Sequence, residues 1–157
     1  MSSHDPPGVK LAAMDFTYDK DEDANRELAY RIARRAAQRR TIEYSELVVG
    51  VTFRLPNVRG GTPLQLGELG DWSDVDRAIL GSVLGRISAD SYARGGFLAS
   101  AVVVSRATHE PSEGFKKLVR DAGFLGRTDG DAFMLFWSDQ LNKAYDWFNA
   151  HPPESQA

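Results

Sequence analysis

Apolar residues recur every four positions in two long stretches of the chain, and each stretch predicts a helix with one buried face. Between Asp23 and Arg40, Leu28, Ile32 and Ala36 form one stripe, while Arg26, Arg31, Arg34, Arg35, Arg39 and Arg40 occupy the rest of the surface. Val75, Ile79, Val83 and Ile87 repeat the spacing, with Ala78, Leu80 and Leu84 widening the stripe. Ser73 reads as the N-cap of this second helix, Asp74 and Asp76 fall in its first turn, and Gly95-Gly96 should end it. A third helix spans Asp131 to Ala150, where Phe133, Phe136, Trp137, Leu141, Ala144, Tyr145 and Phe148 make a broad aromatic face. Such a face reads as core or as a dimer surface rather than as a platform for stacked bases.

Shorter elements lie between these. Tyr44, Leu47 and Val48 share one face of a short helix ending at Gly50, and Phe115, Leu118 and Val119 do the same for a helix from Glu113 to Ala122. Leu98 to Ser105 is apolar and β-branched, which predicts a buried strand, and His109-Glu110-Pro111-Ser112 predicts a turn after it. Leu11 to Tyr18 reads as a short strand or an arm, and Asp19 to Asp23 as the cap region of the first long helix. Gly81 and Gly85, four apart, predict close packing of a neighbouring element. The connection from Thr52 to Asp71 holds Pro56, Gly60, Gly61, Pro63, Gly67 and Gly70, and at about twenty residues it is long for a compact domain.

A short helix, a second helix, then a strand and turn is the order of a winged helix-turn-helix. The expected fold is therefore α+β: a winged helix-turn-helix core with an added N-terminal helix and a C-terminal aromatic helix. Residues 1–22 form a partly flexible arm, 23–150 a single domain and 151–157 a flexible tail. A chain of 157 residues is long enough to bury one core.

The absence of cysteine removes disulfides, thiolate metal sites, cysteine nucleophiles and alkyl-accepting thiols together. No run approaches the roughly 18 apolar residues of a membrane span, and the first 25 residues lack a basic n-region followed by an apolar block, so a cytoplasmic protein that does not engage a membrane is expected. The net charge of -3 hides a strong asymmetry: residues 25–60 carry 8 basic and 3 acidic groups, and residues 92–130 carry 6 and 4. Two basic blocks thus flank the second long helix and can give an acidic protein a positive face.

Catalytic signatures are missing. Gly-rich nucleotide loops, His-Glu-x-x-His and Gly-x-Ser-x-Gly do not occur. His4, His109 and His151 sit in a tail, a turn and another tail, and the polarity of the turn accounts for His109, Glu110, Ser112 and Glu113 better than a hydrolytic centre does. No catalytic residue, metal or cofactor is expected.

Four short segments occur in order: Thr41-Ile42-Glu43-Tyr44-Ser45-Glu46-Leu47, Arg77-Ala78-Ile79-Leu80-Gly81, the apolar strand, and Gly114-Phe115-Lys116-Lys117-Leu118 followed by Asp121-Ala122-Gly123. This combination resembles the DNA-binding domain of alkylguanine-DNA alkyltransferases and alkyltransferase-like proteins, over roughly half the chain in scattered pieces. The resemblance implies that Arg77 stands where the family has its base-flipping arginine, and that Tyr44 matches a tyrosine close to the DNA backbone. The family's proline-cysteine-histidine-arginine box should fall near Leu98 to Val102, where this chain has neither cysteine nor histidine. Alkyl transfer needs a thiolate and is excluded.

The expected function is that of a non-enzymatic DNA-binding protein of bacterial or phage type, regulatory or defence-related, acting on double-stranded DNA. Arg77, Arg86 and Arg94 would face a groove, Tyr44 and Arg77 follow from the resemblance, and Arg106, Lys116 and Lys117 suit phosphate. The alternative is a protein-interaction or oligomerisation module that uses the 131–150 helix as a homodimer or partner surface. A third reading is an accessory subunit of a nuclease or hydrolase.

Overall fold

The computed structural model describes residues 6–67 and 72–153. Among these residues, six α-helices and a two-stranded sheet make a helix-rich α+β fold: α1 Pro7–Ala13, α2 Glu22–Ala37, β1 Ile42–Glu43, α3 Tyr44–Val48, α4 Asp74–Gly95, β2 Val103–Val104, α5 Glu113–Asp121 and α6 Gly130–Ala150. β1 and β2 run parallel, with Ile42 opposite Val103 and Glu43 opposite Val104.

The long helices start and stop where their caps require. Asp21 caps α2 by accepting the Ala24 N–H at 3.1 Å, and its second oxygen accepts the Arg54 N–H at 2.8 Å, tying the helix to the long connection. At its other end, the Arg40 N–H returns to the Arg35 carbonyl and the Arg39 N–H to that of Ala36, a Schellman closure. Its left-handed position, most cheaply filled by glycine, is occupied by Arg39 at φ 56°. Ser73 and Asp76 form a reciprocal capping box at the start of α4.

Two apolar clusters share the interior. The larger joins Leu28 and Ile32 of α2, Leu47 of α3, Phe53 and Leu55 of the connection, and Ile79 and Val83 of α4. The smaller joins Leu11, Leu98, Phe115, Val119 and Phe133. Leu11 is therefore a core residue on a helix, not part of a strand. Pro7 at the N-terminus of α1 presets the φ that the helix needs, and this outweighs the strand propensity of the residues that follow. The rest of the segment from Leu11 to Tyr18 does serve as a packing arm, with Phe16 lying against Gly85.

The expected strand from Leu98 to Ser105 is a 3-10 turn at Ala99–Val102 followed by only two strand residues. Side chains make this possible by accepting three consecutive backbone N–H groups: Gln140 that of Leu98 at 2.9 Å, Ser91 that of Ala99 at 2.9 Å and Ser88 that of Ser100 at 3.0 Å. A buried segment so satisfied has no need of a sheet ladder. After β2, Ser105–Glu110 turns back and Val104 pairs with Pro111 in a single antiparallel bridge. The connection after α3 folds on itself through an antiparallel Phe53–Leu64 bridge. Of the ends expected to fray, 1 to about 10 and 151–157, residues 1–5 and 154–157 lie outside the described residues, whereas Pro7–Ala13 is helical and His151 stacks on Trp147 with ring centroids 4.0 Å apart. Among the described residues, no helix is long and apolar enough to cross a membrane.

Candidate nucleic-acid interface

A cleft of about 660 Å³ opens between α3, α4, the Ser105–Pro111 turn and α5. Leu80, Leu84 and Ser100 line its interior, Tyr44 and Trp72 line it from one side, and Arg77, Lys116 and Lys117 contribute cationic side chains. Four residues singled out from sequence, Tyr44, Arg77, Lys116 and Lys117, therefore meet at one site although they come from three separate helices.

The aromatic side is built with care for space. Tyr44 and Trp72 meet edge to face with ring centroids 5.5 Å apart, the arrangement that ring quadrupoles favour. Trp72 fits because Gly67 lies beneath it: a Cβ there would come within 2.5 Å of the indole. Asp76 accepts the Gly67 N–H at 3.1 Å and the Ser73 N–H at 3.3 Å, so the connection is fastened at Gly67 to the start of α4. Its carboxylate is thus occupied in holding the connection.

The cations are paired only at the surface. Arg77 lies 3.5 Å from Asp74, Lys116 3.5 Å from Glu113 and Lys117 2.6 Å from Asp121. Exposed pairs of this kind contribute about 0–1 kcal/mol, so an arriving phosphate can replace them. The Lys116 ammonium also sits 5.6 Å from the centroid of the Phe133 ring, within reach of a cation–π contact. Glu110 and Glu113 line the same cleft and oppose the positive charge.

Arg86, Arg94 and Arg106 lie elsewhere. Arg86 reaches Asp19 at 3.4 Å, Glu22 at 3.2 Å and Asp90 at 3.5 Å. Burial alone would lower its pKa, but Glu22, Asp90 and the hydrogen bonds to Asp19 and Glu22 outweigh that and raise it. Its charge is thus spent on fastening the segment before α2 to α4. Arg94 lines a separate groove between α2, α4 and α6, beside Tyr30, Phe97 and Trp147. Arg106 lies across the Ser105–Pro111 turn from the cleft, in a hollow with Arg39 and Arg40.

The split along α4 follows from helix geometry. Nine residues separate Arg77 from Arg86, and at about 100° per residue they point to opposite faces. Trp72 and Ser100 were not anticipated: a tryptophan closing a polar connection is the one signal in the sequence for the former. Among the described residues, no three His, Cys, Asp or Glu side chains are grouped to hold a metal ion. No protein-family model matches the chain, and comparison with curated proteins and with solved structures returns no match.

Proposed function

We propose that the chain is a non-enzymatic DNA-binding protein of the winged-helix type, with α3 and α4 as the helix pair and the Ser105–Pro111 turn as a reduced wing. In this reading the cleft receives an unstacked base against Tyr44 and Trp72. Arg77 fills the space that base leaves, and Lys116, Lys117 and Arg106 contact phosphates. The observation that carries the proposal is the meeting of Tyr44, Arg77, Lys116 and Lys117 around one cavity with a partly apolar interior. An aromatic side for a planar ring and detachable cations for phosphate are the two parts that single-base recognition needs.

The test is a comparison of duplexes with and without one unpaired base. The unpaired base should be preferred, because less stacking has to be broken. Trp72→Ala should remove about 1–3 kcal/mol of that preference, the worth of one stacked base. Equal affinity of the wild type for both duplexes contradicts the base-receiving cleft.

A second reading, a protein-interaction module using α6, is supported by Leu135 at 72% and Met134 at 37% exposure. Its aromatic residues give less support: Phe133 is buried, and Phe136, Trp137, Tyr145, Trp147 and Phe148 are all partly covered.

A further inference from the structure

Across the Ser105–Pro111 turn from the cleft lies an open hollow of about 750 Å³ where the two basic blocks of the sequence meet. Arg35, Arg39 and Arg40 come from the end of α2 and the residues after it, and Arg106 and His109 from the turn. Against these four arginines the lining holds two carboxylates, Glu43 and Glu46, a balance of +2 before His109 is counted. Both carboxylates are already engaged. They form the capping box of α3, and Glu46 also accepts from Arg35 at 3.2 Å. Arg39 pairs with Asp146 at 3.0 Å. Arg40 and Arg106 have no ion-pair partner among the described residues, and both are exposed.

The backbone here is held in conformations that side chains seldom adopt. Arg39 (φ 56°) and His109 (φ 55°) are two of the three non-glycine residues with positive φ among those described, and both line this hollow. Strain of this sort collects where a structure must aim particular groups.

We propose that Arg40 and Arg106 hold a phosphate in this hollow, assisted by the hydroxyls of Thr41 and Ser45, and that it is a backbone phosphate of the nucleic acid engaged by the cleft. The proposal rests on the function proposed above. A guanidinium fork matches two phosphate oxygens at once. The chain also places the two sites side by side, since Tyr44 and Ser105 line the cleft while their neighbours Ser45 and Arg106 line the hollow. One strand crossing the turn can therefore enter both.

Two titrations test this. Pyrophosphate is added to the labelled protein, and the backbone amides of Thr41, Ser45 and His109 are followed by NMR. Saturable shifts that disappear in Arg40→Ala/Arg106→Ala support an anion site, whereas no saturable shift, or a shift that survives in the variant, overturns it. Duplex binding is then measured against salt. The double variant should lower the log-log slope by about one unit, one released phosphate contact, and an unchanged slope overturns the hollow while leaving the cleft standing. If the wild type binds no duplex, the cleft reading fails and the nucleic-acid source of the phosphate falls with it. The pyrophosphate arm alone then decides whether the hollow binds phosphate.

Discussion

The hydroxyl oxygens of Ser88 and Ser100 lie 2.6 Å apart in the interior, and Ser88 also accepts the Ser100 N–H at 3.0 Å. One serine on α4 thus serves both the backbone N–H and the hydroxyl of a residue that lines the cleft. Ser88→Ala leaves a buried N–H and a buried hydroxyl without this partner, each of which costs about 1–3 kcal/mol. The expected result is a loss of at least 1 kcal/mol in denaturant unfolding. A Ser88→Ala protein as stable as the wild type would show that water replaces the hydroxyl.

Gly81 and Gly85 were expected to act alike, and the structure separates them. A Cβ on Gly81 meets nothing within 4 Å, whereas one on Gly85 would strike the Phe16 ring. Gly81→Ala should therefore raise stability by up to about 1 kcal/mol through helix propensity. Gly85→Ala should lower it by about 1–3 kcal/mol, the range for overpacking. Denaturation midpoints moving in the same direction would contradict this assignment of packing.

Glu46 carries a pH-dependent part of the stability of α3. The Glu43 N–H, and after it the hydrogen bond from Arg35, lower its pKa from 4.5, so the folded state favours the carboxylate. This contribution is present above the unfolded pKa and is lost as pH falls through the depressed folded value. Gln at 46 can still accept the Glu43 N–H, so Glu46→Gln removes mainly the exposed pair with Arg35, about 0–1 kcal/mol at pH 7. The gap between wild type and variant should close as pH is lowered below 4.5. A gap constant with pH would place the effect elsewhere.

Much of this fold was legible because its helices carry their own period. Leu28, Ile32 and Ala36, or Ile79, Val83 and Ile87, bury one stripe wherever the rest of the chain goes, although Val75 and Ala78, at the start of the expected α4 stripe, stay exposed. Leu98 to Ser105 was not legible, because a short apolar run has no period that separates a strand from a buried turn. Its form depends on Ser88, Ser91 and Gln140, up to 42 residues away. The cleft was half legible. Tyr44, Arg77, Lys116 and Lys117 stood out by local motif, but Trp72 arrives by way of a connection whose path is set by the Phe53–Leu64 bridge and by Asp76. Arg86 and Arg94 were grouped with Arg77 because they share a helix, although the turn angle between Arg77 and Arg86 already separates their faces.

The salt dependence of duplex binding tests the proposed function most directly. If Arg106, Lys116 and Lys117 each neutralise one phosphate, log K should fall against log salt with a slope of about -2.7, three contacts at about -0.9 each. Lys116→Ala/Lys117→Ala should reduce that slope by up to about two units and weaken all sequences alike. Arg77→Ala should instead cost about 1–3 kcal/mol of discrimination between sequences or base states, the range for a residue that reads a base. An affinity for duplex no better than about 10⁻⁴ M at low salt, the weak end of non-specific binding, would contradict the DNA-binding account and leave the exposed face of α6 as the better guide to function.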